Sequence, residues 1–264
     1  MLKKRLIFTL LYNQGQFMLS RNFRLQSVGD ITWLQKNYNF SKISFSIDEL
    51  IVLDVSRGER NTEAFCDALK TLSKGCFVPI AAGGGVNTVE KARDLLRSGA
   101  DKVVINTALY VEDGFISELA SEFGEQCIVA SMDVKNMGDN GYKVFSEDGS
   151  KSINASAKEW VKFVSNNAIG EIYLNSIDRD GTGQGYDMHL LDLLCKDISK
   201  PVILAGGAGN ALHLAEGLSD LRVDAVATAH LFNFVGDGLK KARHSIIENG
   251  VELPVWNDRL LNKN

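Results

Sequence analysis

Short apolar runs alternate along the chain with longer segments of helical periodicity. The runs are Arg5–Leu11, Leu50–Val55, Val78–Ala82, Lys102–Asn106, Cys127–Asp133, Ile172–Ile177, Val202–Ala205 and Asp224–Thr228. Amphipathic segments such as Thr88–Ser98 and Glu112–Phe123 lie between them. Continuous apolar strands are typical of a parallel sheet that is covered on both faces. Eight such units in 264 residues predict the α/β class and a closed (β/α)8 TIM barrel.

An internal repeat predicts how this barrel is organised. Residues 48–53 match residues 170–175 at an offset of 122, and Gly84-Gly85 matches Gly206-Gly207 at the same offset. Residues 101–109 recur as 224–232. The repeat predicts two half-barrels, about residues 1–123 and 124–250. Because no linker rich in Pro, Gly or Ser separates them, we expect one continuous domain over residues 1–264.

Composition excludes several classes of protein. A net charge of -4 argues against nucleic acid and anionic membranes as partners, since both require a basic surface. No run approaches the roughly 20 apolar residues of a membrane span, and the first apolar run predicts a strand better than a signal peptide. The cysteines and histidines lack metal-ligand spacing, and no dinucleotide fingerprint follows the first strand. We therefore expect a cytoplasmic protein without a metal or cofactor.

Two glycine loops follow the third and seventh predicted strands. They are Gly83-Gly84-Gly85-Val86 and Ala205-Gly206-Gly207-Ala208-Gly209. In barrels the loops after the strands carry the site, and glycine allows backbone N–H groups to approach a phosphate. A matched pair of loops predicts a ligand with a phosphate at each end. The alternative is that the glycines only permit sharp turns between strand and helix.

Four charged residues stand at the starts of predicted strands. Arg5, Glu49, Lys102 and Glu171 begin the first, second, fourth and sixth strands. Two cations and two anions can pair across the barrel floor, where an unpaired charge would be costly. The sequence thus predicts a closed charged ring, although strand starts are often charged merely because water reaches them.

The chain resembles one family over essentially its whole length. Residues 100–107 (ADKVVINT), residues 176–182 (SIDRDGT) and the glycine loops are similar to the cyclase subunit of imidazole glycerol phosphate synthase. That family is a (β/α)8 barrel that pairs with a glutaminase subunit and receives ammonia through the barrel axis. It cleaves and cyclises a bisphosphorylated ribulosyl nucleotide.

The resemblance implies roles for individual residues. It assigns one phosphate to Gly85, Asn106 and Thr107, and the other to Asp180, Gly181, Gly207 and Ala229, with His230 at a position where the family usually has serine. It makes the charged ring an ammonia gate. It also makes Asp101 an acid of the glutaminase interface.

Catalysis is where the chain departs from the family. The family reaction uses two aspartates, at the ends of the first and fifth strands, as acid and base. Asp133 matches the second, but its counterpart at the offset of 122 is Leu11, which cannot transfer a proton. Leu19 replaces a lysine of the first loop. Asp133 is then either half of a broken pair or a hydrogen-bonding group, and Asp54 or Asp178 would be the candidates for a relocated acid.

Three functions remain open from the sequence. Similar paralogues with this leucine belong to surface-polysaccharide pathways, beside a glutaminase and an ATP-dependent sugar amidotransferase that makes acetamidino sugars. The favoured hypothesis is therefore an ammonia-channelling barrel subunit of a glutamine-dependent amidotransferase system. The alternatives are a genuine cyclase-lyase of histidine biosynthesis with a relocated acid, and a non-catalytic phosphate-binding scaffold. Autonomous cyclase activity is doubtful on this sequence because of Leu11.

Overall fold

A closed parallel barrel forms the centre of the molecule. The computed structural model describes residues 3–37, 43, 45–111, 114–194, 198–229 and 238–255. The barrel strands are β1 (Arg5–Asn13), β4 (Glu49–Asp54), β5 (Ile80–Gly83), β6 (Lys102–Ile105), β7 (Ile128–Asn136), β10 (Glu171–Ser176), β11 (Val202–Ala205) and β12 (Ala225–Thr228). Neighbours pair in parallel in this order, and β12 returns to β1 with Arg5 opposite Ala225. The predicted (β/α)8 TIM barrel is confirmed.

Helices cover the outside of the barrel. They are α1 (Ile31–Asn37), α2 (Thr62–Ser73), α3 (Val89–Arg97), α4 (Ala108–Val111), α5 (Phe115–Phe123), α6 (Ala157–Ser165), α7 (Ala211–Ser219) and α8 (Gly238–Glu248). Short 3-10 helices span Glu125–Cys127, Gly138–Asn140 and Met188–Leu193. Side chains cap several of these helices: Asn61 begins α2, Thr88 begins α3, and Ser156 forms a capping box with Glu159 at α6.

Two hairpins were not predicted from the sequence. The strands β2 (Gln16–Arg21) and β3 (Arg24–Asp30) follow β1, and β8 (Tyr142–Ser146) and β9 (Lys151–Ser156) follow β7. Their strands are largely polar or only partly buried, so they form no continuous apolar run. The eight predicted barrel strands are present, and in addition a β-hairpin precedes the helix in the first and fifth barrel units.

Some predicted boundaries were displaced by local chemistry. Strand β5 begins at Ile80 instead of Val78, after Pro79, which has no N–H to donate to a ladder. Cys127 belongs to a 3-10 helix, not to β7. The predicted helix 112–123 corresponds to α5, and residues 112 and 113 lie outside the described part.

Apolar side chains fill both the barrel and the layer beneath the helices. The inner cluster consists of Ile7, Ile51, Ala81, Val104, Val129, Tyr173, Ile203, Ala205, Ala225 and Ala227, with Leu53 against it. Successive residues of a strand point to opposite faces, so inner positions recur at every second residue. On β10 these positions are Glu171, Tyr173 and Asn175, which connect the floor of the barrel to its mouth.

A buried ion pair holds the last helix against the start of the barrel. Arg243 of α8 donates to both carboxylate oxygens of Asp48, at 2.9 and 2.8 Å, and Asp48 also accepts from the Leu6 amide at 2.8 Å. Leu253 beyond α8 is buried, while Val255 is exposed. Within the described residues, no helix is long and apolar enough to cross a membrane.

Candidate functional site at the barrel mouth

A cavity of about 960 Å³ opens at the carboxyl ends of the barrel strands. Its wall includes most of the residues that the sequence singled out for the site. These are Leu11, Leu19, Gly85, Asn106, Thr107, Asp133, Asp180, Gly181, Gly207 and Ala229. His230 lies outside the described residues. The structure therefore brings both predicted phosphate clusters, Asp133 and Leu11 into one cavity.

Asp133 is a buried acid in the wall of this cavity. Its Oδ2 accepts a 2.6 Å hydrogen bond from the Asn106 amide, and its Oδ1 accepts a 2.8 Å bond from the Asn175 amide. Burial raises the pKa of Asp133 to about 6, although both amide bonds favour the charged form. Asp133 can therefore change protonation state close to neutral pH, as a proton donor or acceptor requires.

The opposite side of the mouth is apolar. Leu11 of β1 is paired with Leu53 of β4. Asp133 of β7 is paired with Asn175 of β10 in the same way. By the sequence offsets, Leu53 is the counterpart of Asn175, and Ala229 is the counterpart of Asn106. The acid and both of its amide partners thus correspond to Leu11, Leu53 and Ala229, all in the cavity wall. The replacement of polar by apolar side chains at Leu11 therefore extends to the positions around it.

The acids considered as replacements are occupied elsewhere. Asp54 accepts a 2.9 Å bond from the Ser56 amide, and Asp178 accepts a 2.7 Å bond from the Asn136 amide. Asp54 reaches the cavity wall, whereas Asp178 is not part of that wall. Neither carboxylate occupies the place of Leu11.

The first predicted phosphate cluster lies next to cationic side chains. The Lys91 ammonium donates to the Gly85 carbonyl at 3.2 Å, and the Arg60 side chain packs against Gly85. Arg60 Nε is buried without a hydrogen-bond partner. Gly85 has a φ of 65°, which favours glycine. Thr107 accepts from the Glu147 amide at 3.3 Å, and the Asn106 amide is already engaged by Asp133.

The second predicted cluster is held by the first hairpin. Asp180 accepts a 2.5 Å bond from the Ser20 hydroxyl and a 3.0 Å bond from the Phe23 amide. Burial raises the pKa of Asp180. A side chain at Gly181 would collide with the Ser20 carbonyl, and one at Gly207 would collide with the Gly185 carbonyl. Close packing of loops therefore accounts for these two glycines whether or not phosphate binds.

The four charged residues at the strand starts pair in a closed ring. Arg5 Nη1 lies 2.7 Å from Glu49 and 3.0 Å from Glu171, and Lys102 Nζ lies 3.0 and 3.1 Å from the same two acids. The Glu49 side chain is only 2% exposed. Burial raises its pKa, while Lys102 and Arg5 oppose that rise. The ring stands at the opposite end of the barrel from Asp133.

Asp101 lies on the floor side and is exposed. Its carboxylate accepts a 2.8 Å bond from the Ile80 amide at the start of β5. Asp224 makes the same contact with the Val202 amide at 2.9 Å. Asp101 and Asp224 thus both accept a hydrogen bond from the amide at the start of a neighbouring strand. This bond leaves the Asp101 carboxylate open to solvent.

Several residues of the cavity were missed in the sequence analysis. They are Thr9, Ser20, Arg57, Arg60, Lys91, Asp148, Tyr173 and Asn175. Asn175 and Tyr173 could have been found by reading β10 with the strand period of two, because they alternate with Glu171. Ser20 and Asp148 lie in or beside the unpredicted hairpins, so their positions could not be predicted from the sequence.

Comparisons with known proteins cover almost the whole chain. A family model described as histidine biosynthesis protein matches residues 20–236. A protein of Parasynechococcus marenigrum (strain WH8102), provisionally named imidazole glycerol phosphate synthase subunit hisF2, is 49% identical over 97% of this chain and 95% of its own length. Imidazole glycerol phosphate synthase subunit HisF of Chloroherpeton thalassium is 37% identical over 96% and 99%. That of Chlorobaculum tepidum is 36% identical over 95% and 98%.

Proposed function

The chain belongs to the histidine biosynthesis protein family, as a divergent relative of the cyclase subunit of imidazole glycerol phosphate synthase, and from this premise we propose that it delivers ammonia as the barrel subunit of a glutamine-dependent amidotransferase system. In this proposal a glutaminase binds the floor of the barrel at Asp101. The ring of Arg5, Glu49, Lys102 and Glu171 forms the ammonia gate. The acceptor is a sugar of surface-polysaccharide synthesis, converted to an amidino sugar by a separate ATP-dependent amidotransferase.

One observation carries the proposal. Leu11 lines the mouth where a second proton-transfer group would face Asp133, and Leu53 and Ala229 make its surroundings apolar. A leucine cannot act as acid or base, so the family's two-carboxylate reaction lacks one participant. The ring at the floor, in contrast, has all of its ion pairs in place. The chain thus combines a fully paired charged ring with an incomplete catalytic pair.

The first experiment measures glutaminase binding. Titration calorimetry with a glutaminase subunit from the same organism should give a 1:1 complex, and Asp101→Lys should weaken it at least tenfold. Glu63→Lys is the matched control, since Glu63 is equally exposed but lies in the first turn of α2 on the side of the barrel. No complex with the wild-type chain, or equal weakening by both variants, would count against the proposal.

The second experiment follows the nitrogen. The complex with the sugar amidotransferase is given amide-¹⁵N glutamine, ATP and a large excess of unlabelled ammonium. A protected path predicts that the product carries mostly ¹⁵N, because ammonia made by the glutaminase reaches the acceptor without mixing with solvent. A product that carries the solvent isotope ratio would contradict channelling.

A genuine cyclase is the second candidate, and one observation favours it. Asp133 retains a pKa of about 6 within the cavity that contains both predicted phosphate clusters. The test supplies the bisphosphorylated ribulosyl intermediate and ammonium to the purified chain. We expect no turnover above background from the wild-type chain and a small gain from Leu11→Asp. Turnover by the unmodified chain at the rate of an authentic cyclase would favour this candidate instead.

A further inference from the structure

Above the charged ring, the inner face of β10 is polar where that of its counterpart β4 is apolar. Glu171, Tyr173 and Asn175 occupy alternate positions of this strand, and by sequence offset they match Glu49, Ile51 and Leu53 of β4. Alternate residues of a strand are about 6 to 7 Å apart. Strand β10 thus provides a polar group at three levels, in the charged ring, in the middle of the barrel and beside Asp133.

Tyr173 stands at the middle level, within an otherwise aliphatic interior. Its side chain is 6% exposed and packs in the inner cluster with residues such as Ile51 and Val104. The Thr9 hydroxyl on β1, three strands away around the barrel, lies close enough to the Tyr173 phenol to oppose the rise of its pKa. The contact therefore crosses the interior, where an aromatic side chain occupies the space that an isoleucine would leave open.

The Thr9 hydroxyl has hydrogen-bonding capacity to spare. Thr9 is 4% exposed, and its Oγ1 has no hydrogen bond of good geometry. A buried hydroxyl that lacks a well-formed hydrogen bond costs free energy, so it is either a strained feature or a site for a small polar guest. Thr9, Ser131 and Tyr173 all line the mouth cavity. Among the described residues the cavity wall ends at this level, and the four ring residues are not part of it.

We propose that the hydroxyls of Tyr173 and Thr9 form an internal binding station for neutral ammonia, placed between the floor ring and Asp133. This inference rests on the proposed function, because it assigns a step of the path to particular atoms. The phenol donates to the nitrogen lone pair, and Thr9 Oγ1 accepts an N–H bond. Neutral ammonia suits this level of the barrel, because a buried ammonium ion would lack a counter-charge there.

The test uses ¹⁹F NMR of the full chain with fluorotyrosine at its six tyrosines. Tyr173→Phe assigns the resonance of Tyr173 by its loss. Ammonium chloride is then added at constant ionic strength, at pH 7.5 and at pH 9. Burial raises the pKa of Tyr173 far above its usual range, so this phenol stays protonated at both values. The Tyr173 resonance should shift saturably with the concentration of free ammonia, while the other five resonances stay in place.

Two controls separate the station from general effects. Potassium chloride and tetramethylammonium chloride should leave the Tyr173 resonance unmoved. Thr9→Val keeps the shape of the side chain without its hydroxyl, so the protein should fold and the ammonia-dependent shift should fall at least threefold. A Tyr173 resonance that ignores ammonia, or one that follows total ammonium and not free ammonia, would overturn the inference.

The outcome is independent of the glutaminase. A missing shift together with tight glutaminase binding would remove the station and leave the proposed function standing. A clear shift without any glutaminase complex would support the station and contradict the proposed function. In that case the barrel would hold ammonia at its centre but would not receive it from the proposed partner.

Discussion

The Asn175 side-chain amide donates a 2.8 Å hydrogen bond to Asp133 across the paired strands β10 and β7. The equivalent contact across β1 and β4 is between Leu11 and Leu53. A carboxylate and its amide donor on one side thus correspond to two hydrocarbon side chains on the other. Of these two equivalent positions at the mouth of the barrel, only that of Asp133 therefore carries a group that can transfer a proton.

Replacing Asn175 by leucine tests what sets the acidity of Asp133. The variant removes one of the two amide bonds that favour the charged carboxylate, so we expect the pKa of Asp133 to rise from about 6 to about 7. Carboxyl ¹³C NMR titration measures this value. Leu53→Met is the control, since Leu53 lies beside Leu11 and should leave the pKa of Asp133 unchanged. An unchanged value in Asn175→Leu would mean that the Asn175 bond does not contribute to the pKa of Asp133.

The same carboxyl should leave a signature in stability. Because the folded-state pKa of Asp133 is raised, the native protein holds a proton there that the unfolded chain has lost between pH 4 and pH 6. Stability contributed by this group is therefore present at low pH and falls as the pH rises through about 6. The total effect is at most about 3 kcal/mol.

Asp133→Asn isolates that contribution because asparagine does not titrate. Urea unfolding from pH 4.5 to pH 7.5 should show the free energy of unfolding of the variant improving steadily relative to wild type, by about 2 kcal/mol over the series. Other titrating groups are common to both proteins and cancel in the difference. A difference that is constant with pH would show that the pKa of Asp133 is close to its usual value.

The fold was predictable where the chemistry is periodic. Apolar runs identified the barrel strands. The family resemblance, which the comparisons confirm, identified the family to which this barrel belongs. The sequence could not show that Leu53 and Ala229 accompany Leu11, because side-by-side positions depend on strand register. Alternation with Glu171 could have placed Tyr173 on the inner face of its strand. Its approach to Thr9, three strands away, could not have been predicted, because the sequence does not show which inner side chains meet across the barrel.

The hairpins illustrate a second reason for failure. Gln14 and Gly15 have φ values of 46° and 86° and form the tight turn between β1 and β2. That turn could have been noticed. The contacts of the hairpin could not, since Ser20 and Phe23 reach Asp180 from a distance of about 160 residues along the chain.

The charged ring should be costly to break. Lys102→Met leaves the 2% exposed Glu49 with Arg5 as its remaining ring cation, so we expect a loss of about 3 kcal/mol in the free energy of unfolding at pH 8. The loss should shrink as the pH falls, because burial raises the pKa of Glu49 and the protonated side chain no longer needs a counter-charge. Adding Glu49→Met to this variant should restore part of the stability.

A surface pair provides the comparison for the ring. Lys151 and Glu147 are 62% and 52% exposed, and Lys151→Met should cost less than about 0.5 kcal/mol. Chemical unfolding measures all four proteins under the same conditions. Equal losses in Lys102→Met and Lys151→Met would mean that water compensates the ring charges, which would weaken its role as a barrier at the floor.

Gly181→Ala tests whether the first hairpin is held in place by close backbone packing. Gly181 has a φ of 64°, and a methyl group there would collide with the Ser20 carbonyl. Gly138 has the same φ of 64° but nothing within 4 Å of an added methyl group. Both alanine variants therefore carry similar backbone strain, about 1 to 2 kcal/mol, and only one displaces the hairpin.

Limited trypsin digestion measures displacement of the hairpin, because Arg21 and Arg24 flank the hairpin turn. We expect cleavage at these two arginines to accelerate at least tenfold in Gly181→Ala and to stay near the wild-type rate in Gly138→Ala. Similar acceleration in both variants would point to global destabilisation. An unaltered rate in Gly181→Ala would mean that the Ser20–Asp180 and Phe23–Asp180 hydrogen bonds hold the hairpin even when the glycine contact is lost.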